Sequence, residues 1–210
     1  MKSTIRISKL IALSFLAMHT SAQVVKSDLS TAHAGKKLYM DVHKSASGKF
    51  NYNDVLKAHK KDLAVEKKYG VDIVKYWVNE DEGTIFCLAY ANDSDALRKT
   101  HAEAHGLTPQ KIYEVSSGAP LDFSKTKNLY MDIHYLGAGS VTKDAVAGAH
   151  QKDLAVQNKY GADFINYWVD EKEGVVMCLV QADDSTKLDG THKEAHGLMP
   201  SEVLKVRPGK

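Results

Sequence analysis

Apolar and polar side chains alternate along Leu38–His43, the period of a strand with one buried face. Residues 53–69 switch to helical periodicity and stop at Gly70, a residue suited to the left-handed position that ends a helix. Ile73–Val78 and Thr84–Tyr90 are rich in β-branched and aromatic side chains and flank the turn NEDEG, which predicts a hairpin. Ser94–His105 is helical again, closed by Gly106 with Pro109 beyond, and Ile112–Val115 reads as a last strand. The order β-α-β-β-α-β is the ferredoxin-like plan. Helices cover one face of such a sheet, and the other face needs a partner.

The partner is in the same chain. LYMDVH at residue 38 returns as LYMDIH at residue 129, AHKKDLAVEKKYG as AHQKDLAVQNKYG, YWVNEDEG as YWVDEKEG, and HAEAHGLTP as HKEAHGLMP. The offset is 91 throughout and about half of the aligned positions are identical. The expected organisation is a lead over residues 23–36, one repeat over 37–116, a Gly-, Pro- and Ser-bearing linker over 117–127, and a second repeat over 128–207. The fold class is α+β, two ferredoxin-like units packed sheet against sheet as an internal pseudo-dimer.

Residues 1–22 change the picture of charge and compartment. A basic start (Lys2, Arg6, Lys9), the apolar run Leu10–Met18 and the small residues before and at Ala22 have the layout of a secretory signal peptide, cleaved after Ala22. Nine apolar residues are too few for a membrane span, which needs about 20. The expected location is periplasmic or secreted, with no membrane association after cleavage. The whole chain has 28 basic and 26 acidic residues, and losing three bases leaves it close to neutral. That balance offers no footprint for nucleic acid.

Chemistry is concentrated in histidine. Of ten histidines, His19 falls in the signal and His33 in the lead; the other eight form matched pairs, His43/His134, His59/His150, His101/His192 and His105/His196. In this topology the end of the first strand, the start of the first helix, the hairpin turn and the end of the second helix share one edge. All four histidines of a repeat, with Glu80 and Glu82 of the turn, therefore converge there. His101 and His105 lie four apart on one helix face and can grip one ion. Several imidazoles together suit Ni(II), Cu(II) or Zn(II). Strand alternation sets His43 with Asp41 and Tyr39, opposite Met40 and Val42, and leaves open whether that face meets the helices or the other repeat.

Other motifs point elsewhere or nowhere. HAEAH is not the zinc-protease HExxH, because Glu103 lies two residues after His101, about 200° around the helix. Cys87 and Cys178 are equivalent strand positions expected as buried thiols, with a disulfide across the repeats as the alternative. Trp77 and Trp168 are expected in the core. The lysines of residues 60–68, with Asp62 and Glu66, read as a solvated helix face.

The set MDxH, AHxxDLAVxxKYG, YWVxExxG, a Cys-Leu strand and HxEAHGxxP, present twice, resembles the DUF4242 family, whose characterised type is a bacterial nickel-binding protein. The resemblance spans Leu38–Val115 and Leu129–Val206. It implies a dimeric α/β barrel, here formed within one chain that acts as a monomer, and nickel held by histidines and neighbouring oxygen donors. The candidate ligands carried over are His43, His59, His101, His105, His134, His150, His192 and His196. Tandem duplication and export are departures from the family's usual form. The resulting expectation is an exported, non-enzymatic protein whose partner is a metal ion, Ni(II) first, with Zn(II) or Cu(II) open. A barrel enzyme acting on a small organic molecule, with His59 or His101 as general base, is the alternative, and a partner-binding module with structural histidines is a third.

Overall fold

The computed structural model describes residues 33–119 and 127–209, and Gly35–Lys210 make up one compact unit. The expected signal segment lies outside the described residues. In the first repeat, β1 (Lys37–Lys44) pairs antiparallel with β3 (Thr84–Ala91) on one side and β4 (Lys111–Glu114) on the other, and β2 (Asp72–Asn79) completes the sheet beside β3. Helices α1 (Tyr52–Val65) and α2 (Ser94–Ala104) supply the crossovers. The predicted long first helix is α1 followed by a 3₁₀ turn over Glu66–Tyr69, ended by Gly70 at φ +69°. In the second repeat β6 (Asn128–Tyr135) pairs with β8 (Val175–Ala182) and β9 (Glu202–Gly209), and β7 (Asp163–Asp170) flanks β8. Its helices are α3 (Lys143–Tyr160) and α4 (Thr186–Ala195).

The repeats exchange their last strands. β9 continues past its own sheet to pair with β2, Trp77 opposite Pro208. Ser116 and Ser117, within the stretch read as a linker, form β5 and pair with Val169 and Trp168 of β7. The strand order is β4-β1-β3-β2-β9-β6-β8-β7-β5. β4 and β5 are successive stretches of chain separated by Val115, so the two ends of that order meet and the sheet closes. This is an intramolecular dimeric α/β barrel, and closure leaves no long unpaired edge.

The barrel interior is one apolar cluster drawn from both repeats, including Met40, Val42, Phe86, Met131, Ile133 and Met177. Trp77 and Trp168 meet inside it edge to face, ring centroids 5.2 Å apart. With Met40 and Val42 facing inward, alternation turns Tyr39, Asp41 and His43 outward, under the helices. That settles the question left by the strand pattern: the histidines belong to the helix side of each sheet, not to the space between sheets. Cys87 and Cys178 are free and buried on that same outer face, each in its own repeat.

Two acidic residues of the hairpin turns serve helix ends. Glu80 accepts the backbone N–H of Tyr52 at 2.6 Å, and Glu171 that of Lys143 at 2.6 Å, so each sits where a helix N-terminus favours an anion. Asn51 adds a capping box to α1, and Thr142 caps α3.

Candidate metal centre

β1, α1 and α2 each aim a pair of polar side chains into the outer face of the first sheet. β1 brings Asp41 and His43, α1 brings His59 and Asp62, and the end of α2 brings His101 and His105. The centre is His101, 1% exposed, held between two carboxylates. Its Nδ1–H donates to Asp62 Oδ1 at 2.9 Å and its Nε2–H to Asp41 Oδ2 at 3.3 Å. His105 Nε2 reaches both oxygens of Asp62, at 3.1 and 3.3 Å. His43 Nε2 lies 3.1 Å from Asp41 Oδ1, out of hydrogen-bond alignment, so that oxygen is buried and lacks a hydrogen bond among the described residues.

The second repeat reproduces this. His192 Nδ1 faces Asp153 Oδ1 at 3.1 Å, and its Nε2 faces Asp132 Oδ2 at 3.2 Å. His196 Nε2 lies 3.2 Å from Asp153, and His134 Nε2 lies 3.3 Å from Asp132 Oδ1. That Asp132 oxygen is again buried without a hydrogen bond among the described residues. One difference is local: His192 Nδ1 also lies 3.1 Å from His196 Nε2.

Electrostatics follow from burial and pairing. Burial alone would lower the pKa of His101, but hydrogen bonds and charge from Asp41 and Asp62 raise it to about 10. The same contest raises His192 to about 9 between Asp132 and Asp153. Burial would raise Asp41, Asp62 and Asp132, yet their histidine partners hold all three below the usual carboxylate range. Burial, with neighbouring carboxylate charge, keeps the Cys87 and Cys178 thiols protonated, well above their ordinary pKa. His150 and His196 are pushed down, chiefly by burial.

Two donor triads per repeat bring ligand atoms within 4.8 Å of one another. They are Asp62, His101 and His105, and Asp41, His43 and Cys87; in the second repeat, Asp153, His192 and His196, and Asp132, His134 and Cys178. The nitrogen and carboxylate donors of the first kind match the preference of a borderline divalent ion, whereas the second kind relies on a protonated thiol. Imidazole nitrogens and carboxylate oxygens converge in the triads of the first kind, and the buried Asp41 and Asp132 oxygens without a hydrogen bond belong to the second kind, so the residues present fit a metal.

Six of the eight sequence candidates thus enter triads. His59 and His150 do not; their rings pack at a tilt against Tyr76 and Tyr167, centroids 4.6 and 4.8 Å apart, though both line the same cavities as the triads. Four carboxylates had not been singled out as ligands: Asp41, Asp62, Asp132 and Asp153. Asp62 and Glu66, read as part of a solvated face, are buried instead, Asp62 against the histidines and Glu66 accepting the Ile73 N–H at 2.8 Å. The usable signal was that Asp41, Asp62, Asp132 and Asp153 recur at the 91-residue offset beside the histidines. Glu80 and Glu82 belong to no triad. Glu103 binds Lys68 and Tyr69 at the surface, consistent with the exclusion of the peptidase motif.

A family described as nickel responsive protein SCO4226-like matches residues 39–115 and again residues 130–206. Among solved structures, SCO4226 from Streptomyces coelicolor A3(2) is 32% identical over 41% of this chain and 99% of that one, with a TM-score of 0.35. A putative monooxygenase from Lactobacillus acidophilus NCFM aligns over 82% of this chain and 94% of its own, at 9% identity and a TM-score of 0.45. A putative chlorite dismutase, TA0507, covers 83% and 95%, at 10% identity and a TM-score of 0.41. No curated protein matches significantly.

Proposed function

The chain belongs to the SCO4226-like family of nickel responsive proteins, and from that premise we propose that it binds a divalent transition metal, Ni(II) foremost, in each repeat. The observation that carries this reading is the buried His101 held between Asp41 and Asp62, repeated at His192 between Asp132 and Asp153. Asp62, His101 and His105 would hold the ion in the first repeat, and Asp153, His192 and His196 in the second. Asp41 and Asp132 orient the central imidazole from behind, as carboxylates behind metal-bound histidines do. Zn(II) and Cu(II) suit the same donors, and Cu(II) leads on intrinsic affinity, so supply selects the native ion.

The reading includes export, which rests on the layout of residues 1–22. The expected mature form begins after Ala22; intact-mass measurement of the protein recovered outside the cytoplasm checks this, and an uncleaved cytoplasmic chain would contradict it. The enzyme alternative is weakened at one of its two bases. The Asp41 and Asp62 carboxylates beside His101 favour its protonated form, which disfavours it as a general base and leaves His59 as the base of that reading.

The test is substitution of the matched centres. His101→Ala with His192→Ala is expected to abolish metal retained through dialysis of the untagged protein. His59→Ala with His150→Ala, outside the triads, is expected to keep it. Unchanged metal content in both variants would overturn the assignment.

A further inference from the structure

The two repeats share their donors but not their cavities. The space in front of the first triad is about 550 Å³, and that in front of the second about 190 Å³. The larger value lies in the range of small-molecule sites, roughly 300–1,000 Å³; the smaller lies below it.

Most lining positions are identical in the two repeats, and at several that differ side-chain size predicts the reverse. The second repeat has Ser140 for Lys49, Val141 for Phe50 and Ala145 for Asp54, a smaller residue at each position. Three residues run the other way, Tyr135 for Lys44, Leu136 for Ser45 and Met199 for Thr108, and of these Leu136 lines the smaller cavity. The backbone there is anchored identically, Ser45 N–H to Gly83 O and Leu136 N–H to Gly174 O, both at 2.8 Å. The leucine therefore occupies space that the serine leaves open.

The larger cavity also differs in chemistry. Both cavities have apolar walls, Phe50, Val55 and Ile85 in the first and Val141, Val146 and Val176 in the second, so the difference lies in the charged residues. Lys44 and Lys49 line the larger cavity, and the equivalent second-repeat residues are Tyr135 and Ser140. Lys44 also faces Glu202 at 3.5 Å. Asp54 is also in the lining, with Ala145 as its equivalent, so the two lysines outnumber one added carboxylate. Room, an apolar wall, a metal centre at one end and this balance describe a site for a small anionic organic molecule with metal-binding donors.

We propose that the first repeat takes its metal together with a small chelating carboxylate, whereas the second takes the ion alone. This rests on the metal-binding reading above. The two repeats are then unequal sites, one for a metal complex and one for a free ion.

The test is equilibrium dialysis of the untagged chain against Ni(II) with pyridine-2-carboxylate, a planar N,O-chelator, measuring both. The expected result is nickel in both repeats and one pyridine-2-carboxylate per chain. Ser45→Leu should keep its nickel and bind the chelator weaker by about tenfold or more, while Leu136→Ser should gain a second equivalent. Nickel bound with no chelator, or chelator binding untouched by Ser45→Leu, would overturn the inference and leave the metal reading standing. A single equivalent in Leu136→Ser would overturn the assignment of the difference to this position. A chain that takes no nickel would overturn the metal reading itself.

Discussion

At the scale of single residues the site is a competition between protons and metal. The metal-free His101 and His192 are cations between carboxylates, so a metal must displace a proton, and affinity should rise with pH. Calorimetric titration with Ni(II) at pH 6 and pH 8.5 should show tighter binding at the higher value; equal affinity would exclude proton displacement. The same groups set the stability of the metal-free protein. His101 and His192 are raised to about 10 and about 9, so their contribution is complete below the unfolded value near 6.5 and fades as pH rises through 9 and 10. Asp41, Asp62 and Asp132 are depressed, so their contribution is present above about 3.8 and lost as pH falls further. His150 and His196, pushed down by burial, cost stability as pH falls below about 6.5. Melting temperatures of the metal-free protein should therefore be highest near pH 6.5 and fall on either side. A maximum above pH 9 would show that the central histidines are not held protonated. Asp62→Ala leaves His101 and His105 without their shared carboxylate and should cost roughly 3 kcal/mol, measured by urea unfolding at pH 6. Backbone N–H groups fix the outer histidines: Leu107 donates to His105 Nδ1 and Leu198 to His196 Nδ1, both at 3.1 Å. That bond puts the proton of a neutral ring on Nε2, the atom facing the carboxylate. Loading Nε2 with metal moves the proton to Nδ1, so the Leu107 and Leu198 amide resonances should shift on titration.

Among elements, the strands and helices were largely legible from periodicity, and their bounds differ by a residue or so from the pattern. The first helix is the instructive exception. Helical spacing ran unbroken to Tyr69, but after Val65 the backbone tightens into a 3₁₀ turn. Glu66 there turns inward to accept the Ile73 N–H, and Gln157 does the same for Phe164 in the second repeat. Nothing in composition distinguishes such a glutamate from a surface one among lysines. Asp62 was hidden for the same reason, since its partners come from α2, 39 and 43 residues away. The hairpin glycines tie the element ends together. A Cβ on Gly174, at φ +67°, would stand 1.7 Å from the Gly137 carbonyl oxygen, beside the loop that carries Leu136. Gly174→Ala should destabilise the protein by more than about 1 kcal/mol, read as a lowered urea midpoint. An unchanged midpoint would show that the turn relaxes freely.

For the whole molecule, duplication was plain in the sequence, and with it the expectation that two sheets cover each other. The strand exchange was not. Residues 116–117 and 207–209 find partners only in the opposite repeat, so no local pattern announces them as strand. The same exchange makes each repeat depend on the other. Trp168→Ala should cost about 3–5 kcal/mol by removing half of the central aromatic pair. Above these predictions stands the claim that the chain is a two-centred metal binder, and one measurement addresses it directly. That measurement is elemental analysis of the untagged, dialysed protein, joined to calorimetric titration with Ni(II), Zn(II) and Cu(II). The expected result is tight binding of a whole number of ions divided equally between the repeats and abolished by His101→Ala with His192→Ala. A folded protein that retains no metal and takes up none at neutral pH would contradict it.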